Sequence, residues 1–225
     1  MEGYIDMHCH ILPGVDDGAK DVEEMKKMLK IAYKEGIRCI IATPHHHPRR
    51  GKESPEVLRK KAVILREAAH EIDAHFRIYL GTEIYFGQDI PDKLQKKEVL
   101  TMNRRKFILV EFSPADRFDY IRQSLQQLQM KGYEVILAHV ERYQCLTEDL
   151  ELVEQLRDMG IFLQVNAGSI CGDNGRKLKK TVKTLMDHDM IFCVGTDAHS
   201  SGSRAPHMKK AAEYVQKKYG QEYMR

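Results

Sequence analysis

The sequence predicts an α/β fold of parallel strands with outer helices, on three observations. Short apolar runs alternate with amphipathic stretches along the whole chain, there are seven such runs, and nearly every run leads out into histidine, aspartate or glutamate. The runs are 4–8 (YIDMH), 38–45 (RCIIATPH), 76–84 (FRIYLGTEI), 106–112 (KFILVEF), 134–140 (EVILAHV), 161–167 (IFLQVNA) and 190–198 (MIFCVGTDA). Seven βα units point to a barrel, although an open doubly wound sheet has the same alternation. No glycine-rich dinucleotide fingerprint and no GxxxxGK[ST] follows any run, which disfavours nucleotide binding.

The helices come from apolar period and caps. Met25, Met28, Leu29 and Ala32 stand at i, i+3, i+4 and i+7, and Gly36 fits the position after a helix end. Ser54 and Pro55 form an N-cap and first-turn pair, opening a helix that runs to about Ala74. Gly132 and Gly160 each close a further helical pattern and lead into a strand. The last helix is expected over 206–219, with Met208, Ala211, Ala212 and Val215 in phase. No linker or low-complexity segment interrupts the pattern, so one domain over 1–225 is the simpler organisation.

Bulk properties remove several function classes. The 36 Lys and Arg against 33 Asp and Glu give a net charge of +3, too small to argue for nucleic acid or an anionic membrane as partner. No apolar run approaches the roughly 20 residues of a membrane helix, and the charged N-terminus does not read as a signal peptide. A cytoplasmic protein without membrane insertion is expected. The five cysteines, without a CxxC pair, suit neither a disulfide framework nor a thiolate zinc site. Cys39 and Cys193 lie in apolar runs and are expected to be buried thiols.

The chemistry lies at the strand ends. In IDMHCHILPGVDDG (5–18), strand alternation sends His8 and His10 to one side and Cys9 to the other. Alone, HxH has many chance matches, and solvated strand-end histidines would read the same way. The other exits change that reading. Asp16 and Asp17 follow the first strand, His45–His47 end the second, and Glu83, Glu111 and His139 end the next three. Asp197 and His199 end the last. A barrel gathers these ends on the face where active sites form. Imidazole with carboxylate suits Mn, Fe or Zn, and at least six strong donors exceed one ion's needs, so two or three ions are expected. Arg142 in AHVERY and Arg204 in DAHSSGSRAPH enter the same face, where a guanidinium can pair with two phosphate oxygens. Arg49 and Arg50 read equally as a solvated rim, and His70, His75 and His188 as structural. His207, Asn166 and Tyr85 stay open between ligand contact and packing.

These segments, DMHCH…DDG, ATPHH, GTEIY, LVEFS, LAHVERY and GTDAHSSGSRAPHM, resemble in order and spacing the PHP (polymerase and histidinol phosphatase) superfamily. Within it they resemble the bacterial manganese-dependent protein tyrosine phosphatases of capsule and exopolysaccharide operons, from residue 5 to about 220. The resemblance implies a distorted (βα)7 TIM-like barrel with three Mn2+ ions. It implies that His8, His10, Glu83 and Asp197 hold the first ion, and that Glu83, Glu111 and His139 hold the second. Asp17, taken over Asp16 as the residue before glycine in DDG, would hold the third with His45 and His199. Arg142 and Arg204 match the phosphate-binding arginines, and Asp197 or a nearby histidine is a candidate proton relay. The implied reaction is hydrolysis of phosphotyrosine in the tail of a tyrosine kinase that controls polysaccharide export. Small-molecule phosphatase activity, as on histidinol phosphate, and noncatalytic binding of the kinase are the alternatives. Family members continue beyond the KKYGQEYMR stretch, a departure expected to touch stability or association rather than the metals. A thiol-based C-x5-R phosphatase is excluded, since Val15, His45, Glu151, Lys177 and His199 stand six residues after the cysteines.

Overall fold

Each apolar run supplies one strand position, and the seven positions wind into a distorted barrel of parallel strands. The computed structural model describes residues 3–224, so both limits of the expected 1–225 domain lie outside the described residues. The first position is β1 (Tyr4–Cys9), followed by α1 (Val22–Lys34). The second is split into β2 (Ile37–Ala42) and β3 (His45–His46), and α2 (Pro55–Ile72) leads to a third, split into β4 (Arg77–Leu80) and β5 (Glu83–Tyr85). Then come α3 (Ile90–Gln95), β6 (Phe107–Glu111), α4 (Phe118–Met130) and β7 (Glu134–Leu137). Helices α5 (Gln144–Glu148) and α6 (Leu150–Asp158) precede β8 (Phe162–Asn166). Finally α7 (Ala167–Cys171) and α8 (Arg176–Asp187) lead to β9 (Cys193–Gly195) and α9 (Lys209–Tyr219).

Strand β1 pairs with β2 and β2 with β4, while β3, β5, β6, β7, β8 and β9 form the second run of parallel neighbours. The circle closes where the Asp197 N–H donates to His8 O (2.8 Å) and the His10 N–H to Ala198 O (2.9 Å). An open doubly wound sheet is thereby excluded.

The fourth and sixth expected strands lose one residue at each end, and four others are interrupted or cut shorter, each for a backbone reason. Pro44, which has no N–H, breaks the second. Gly81 breaks the third, where any side chain would collide with Met102 Sδ. The fifth and seventh end early because His139 (φ 34°) and Asp197 (φ 53°) are left-handed, a state a strand cannot pass through. The last helix begins at Lys209 rather than 206, because Glu35 Oε2 accepts the N–H groups of Met208 (3.1 Å) and Lys209 (3.0 Å) at its start.

Helix α1 has the expected form: Asp21 accepts the Glu24 N–H (2.8 Å), and Met25, Met28, Leu29 and Ala32 are fully buried. Each of the large side chains contributes about 1.5–3 kcal/mol by leaving water. Cys39 is buried as expected, but Cys193 is only partly buried. It sits at the lower mouth of the barrel beside Phe162 and the half-exposed Phe192.

Inside the barrel, residues two apart share a row. The rows read Tyr79–Gly81–Glu83, Phe107–Leu109–Glu111, Phe162–Gln164–Asn166 and Cys193–Gly195–Asp197, apolar or small below and polar above. Ile41, Met102, Leu109, Ile136 and Ala138 form the buried apolar layer, with Met7, Tyr79, Phe107, Phe162 and Cys193 packed against it. The register shift between Asp6 and Cys9 is a bulge that lets Met7 join this layer while His8 enters the layer above.

Candidate metal centre

The upper layer gathers three overlapping sets of donor atoms, each within 4.8 Å. They are His10, Asp17, His45 and His199; His8, His10 and Asp197; and His45, Glu83 and Glu111. Glu83 is central. Its Oε1 lies 3.3 Å from His8 Nε2 and 3.0 Å from His139 Nε2, and its Oε2 lies 3.1 Å from His10 Nε2 and 2.9 Å from His45 Nδ1. His139 Nε2 is also 3.6 Å from Glu111 Oε2. Eight of the nine residues expected to bear metal fall in these sets, the ninth, His139, joins them through its contacts with Glu83 and Glu111, and all but Asp17 are buried.

The two aspartates have different places. Asp16 lies behind His10: its Oδ2 accepts from His10 Nδ1 (2.8 Å) and the His45 N–H (2.9 Å), and its Oδ1 from the Gly18 N–H (2.9 Å). Such a carboxylate turns the other imidazole nitrogen toward a cation. Asp17 faces inward, 3.3 Å from His45 Nε2 and 3.5 Å from His199 Nε2. His46 lies outside the donor sets, whereas His45 is within them.

The electrostatics suit a cationic occupant. Burial alone would raise the Glu83 carboxyl, but the charge of His8, the close imidazoles of His10 and His45 and the hydrogen bond with His139 hold it well below the usual range. Burial opposes charge on His45 and His139, yet Glu111 and Glu83 draw both up to about 9. Burial and the neighbouring His10 charge push His199 down to about 3. Several buried atoms lie close to their neighbours without a well-directed hydrogen bond: both ring nitrogens of His45, Glu83 Oε2, Glu111 Oε1 and His199 Nε2. Unpaired buried donors and acceptors are costly. Bound divalent ions would satisfy this set, and the donor chemistry fits Mn, Fe or Zn.

Both expected arginines converge on Asp197. Arg142 Nη2 donates to its Oδ2 (2.6 Å) and Arg204 Nη2 to its Oδ1 (3.1 Å), while Asn166 Nδ2 donates to Oδ2 (3.0 Å). A polar cavity of about 80 Å³ opens here, lined by Arg142, Asn166, Asp197 and Arg204. Arg49 and Arg50 are exposed in the loop after β3. His70, His75 and His188 lie outside the donor sets. His207 pairs with Glu35 (3.2 Å) at the start of α9, and Tyr85 meets the edge of His47.

Sequence reasoning missed three buried polar residues below or behind the donors. Gln164 touches His8 and His139, Glu141 Oε1 accepts the Asn166 N–H (3.1 Å), and Asp6 accepts from Thr196 Oγ1 (2.6 Å) and N (2.8 Å). Each had one signal: a polar residue inside an otherwise apolar run, or between two singled-out residues.

Known proteins resemble this chain along nearly its whole length. The CpsB protein of Streptococcus pneumoniae, a tyrosine-protein phosphatase, is 34% identical over 221 residues, covering 96% of this chain and 91% of that protein. The tyrosine-protein phosphatase YwqE of Bacillus subtilis is 36% identical, covering 97% of this chain and 86% of that protein. A solved structure from work on YwqE and S. pneumoniae CpsB, described as metal-dependent tyrosine phosphatases, superposes with a TM-score of 0.91 at 35% identity. It covers 98% of this chain and 90% of the other. Residues 4–225 match the family model for capsular polysaccharide synthesis, CpsB/CapC. With relatives above 30% identity along almost its whole length and a family match from β1 onward, this chain belongs to the CpsB/CapC family.

Proposed function

We propose that this chain is a metal-dependent tyrosine-protein phosphatase whose rim holds two or three Mn2+ ions, and that it acts as a single domain over 1–225. The phosphotyrosine it hydrolyses lies in the tail of a bacterial tyrosine kinase controlling capsular or extracellular polysaccharide, in the cytoplasm. Among the described residues no helix is long and apolar enough to cross a membrane. The observation that carries the metal reading is the buried convergence of imidazole and carboxylate donor atoms on Glu83, several of them without a well-directed hydrogen bond.

His8, His10, Glu83 and Asp197 would hold one ion, Glu83, Glu111 and His139 a second, and Asp17, His45 and His199 a third. Within the third set, His10 also lies within reach. When bound, such ions lower the pKa of water to give a nucleophile near neutral pH and neutralise charge on the phosphoryl group. The rest falls to the chain. Arg142 and Arg204 present guanidinium N–H groups beside Asp197, where they pair with phosphate oxygens as negative charge builds. Asn166 and the two arginines hold the Asp197 carboxylate in one orientation. The leaving tyrosyl oxygen has a solution pKa of about 10, so it departs with modest help; Asp197, expected as a proton relay, has both carboxylate oxygens engaged by Arg142, Asn166 and Arg204 and is held as the carboxylate.

The test measures phosphate release from a tyrosine-phosphorylated peptide by chelator-treated protein before and after Mn2+ is returned, with Arg142→Ala and His139→Ala alongside. Activity should vanish on chelation, return with Mn2+, and stay low in both variants. Full turnover in metal-stripped protein would refute the reading.

A further inference from the structure

Gln164 stands where its row changes from apolar to polar, between Phe162 below and Asn166 above, and it is fully buried. The main chain fixes which way its amide points. Oε1 accepts the His139 N–H (2.8 Å), and Nε2 donates to Val165 O (2.7 Å) and Asn166 Oδ1 (2.9 Å). A flipped amide would oppose N–H to N–H and oxygen to oxygen. With Oε1 so placed, His8 Nδ1 at 3.2 Å is the donor, and His8 Nε2 is turned toward Glu83 and His10. The same oxygen anchors the N–H of His139, whose left-handed backbone (φ 34°, ψ 55°) is a conformation that a residue with a β-carbon adopts only when its surroundings impose it. Gly195 makes room for this pairing: a Cβ there would collide with His8 Cβ and press to 3.2 Å from Gln164 Nε2.

We propose that Gln164 is a positioning residue of the metal centre, its single amide oxygen orienting His8 and anchoring the turn that presents His139. It therefore couples donors assigned to two different ions. The inference rests on the metal-centre reading above, and Asp16 behind His10 is the same device built from a carboxylate.

The test titrates MnCl2 calorimetrically into the metal-free full chain, comparing the unsubstituted protein with Gln164→Met, Gln164→Glu and His8→Ala, and records thermal unfolding of each metal-free protein. Gln164→Met fills the same space without the strong acceptor and should weaken Mn2+ binding about 10–100-fold while still unfolding cooperatively. Gln164→Glu keeps an oxygen for both His8 and His139 but sets its second oxygen against Val165 O and Asn166 Oδ1, so it should restore part of that affinity, above Gln164→Met, with a lower unfolding temperature than the unsubstituted chain. A folded Gln164→Met chain binding Mn2+ as tightly as the unsubstituted protein, when His8→Ala does not, would overturn this inference alone. No Mn2+ binding by the unsubstituted chain would overturn the metal reading and this inference with it. If Gln164→Met does not fold, ring 15N spectra of the unsubstituted, zinc-loaded protein decide. A His8 proton on Nδ1 supports the role of Gln164, and a proton on Nε2 refutes it.

Discussion

The two layers inside the barrel are built from the same strands, two residues apart, and obey opposite rules. The lower layer, with Ile41, Leu109, Ile136 and Ala138, is held by exclusion of water and close packing. The upper layer buries Glu83, Glu111 and Asp197 among histidines, and includes left-handed backbone at His139 and Asp197. Buried charge of this kind stabilises little by itself, since desolvation offsets the attraction between partners. The comparison teaches that the apolar layer fixes the strands, while the rim uses that rigidity to keep mutually repelling donors converged.

The sharpest way to break the comparison is one substitution in each layer. Glu83→Ala should abolish binding of the two ions that share Glu83 and cut turnover by about a thousandfold or more, since the field that stabilises the transition state goes with them. Leu109→Ala, in the layer below, should cost about 2–5 kcal/mol of stability in chemical unfolding while metal-loaded turnover stays near that of the unsubstituted chain. Reversal of the two outcomes would merge the layers.

A smaller effect separates the two aspartates. Asp16→Ala should weaken Mn2+ affinity about 10–100-fold by releasing His10 Nδ1, without removing a donor from the site. Calorimetric titration of Asp16→Ala and Asp17→Ala would sharpen the boundary between residues that hold metal and residues that orient them.

The mildest test is pH. His45 and His139 are drawn up to about 9 without metal and must be neutral to bind it, so Mn2+ affinity should climb between pH 6 and 9, about tenfold per pH unit for each proton displaced. The metal-free protein should show the opposite trend. These raised folded-state values stabilise it fully below the ordinary histidine range, and that contribution is lost as pH rises through about 9. Calorimetry and thermal melts at pH 6, 7, 8 and 9 would read both signs.

The strand order and the longer helices were legible in the sequence, because apolar runs and a period of 3.6 record which elements meet the core. Met25, Met28, Leu29 and Ala32 show this directly. The donor set was legible too, since strand ends converge in a barrel whatever the details of each turn. Other features depended on contacts between distant segments. That His139 and Asp197 would be left-handed, ending two strands early, does not follow from local propensity, which disfavours it. Gln164 read as one polar residue in IFLQVNA, and its role depends on His139, 25 residues away, and His8, 156 away. Asp16 and Asp17 were adjacent equivalents until the bonds to His10 and His45 separated them.

Anomalous diffraction from crystals grown with Mn2+ tests most directly whether the rim is a multinuclear metal centre. Two or three manganese peaks per chain are expected, all among His8, His10, Asp17, His45, Glu83, Glu111, His139, Asp197 and His199. A chain with manganese absent from that rim, or bound only elsewhere on the surface, would contradict that reading.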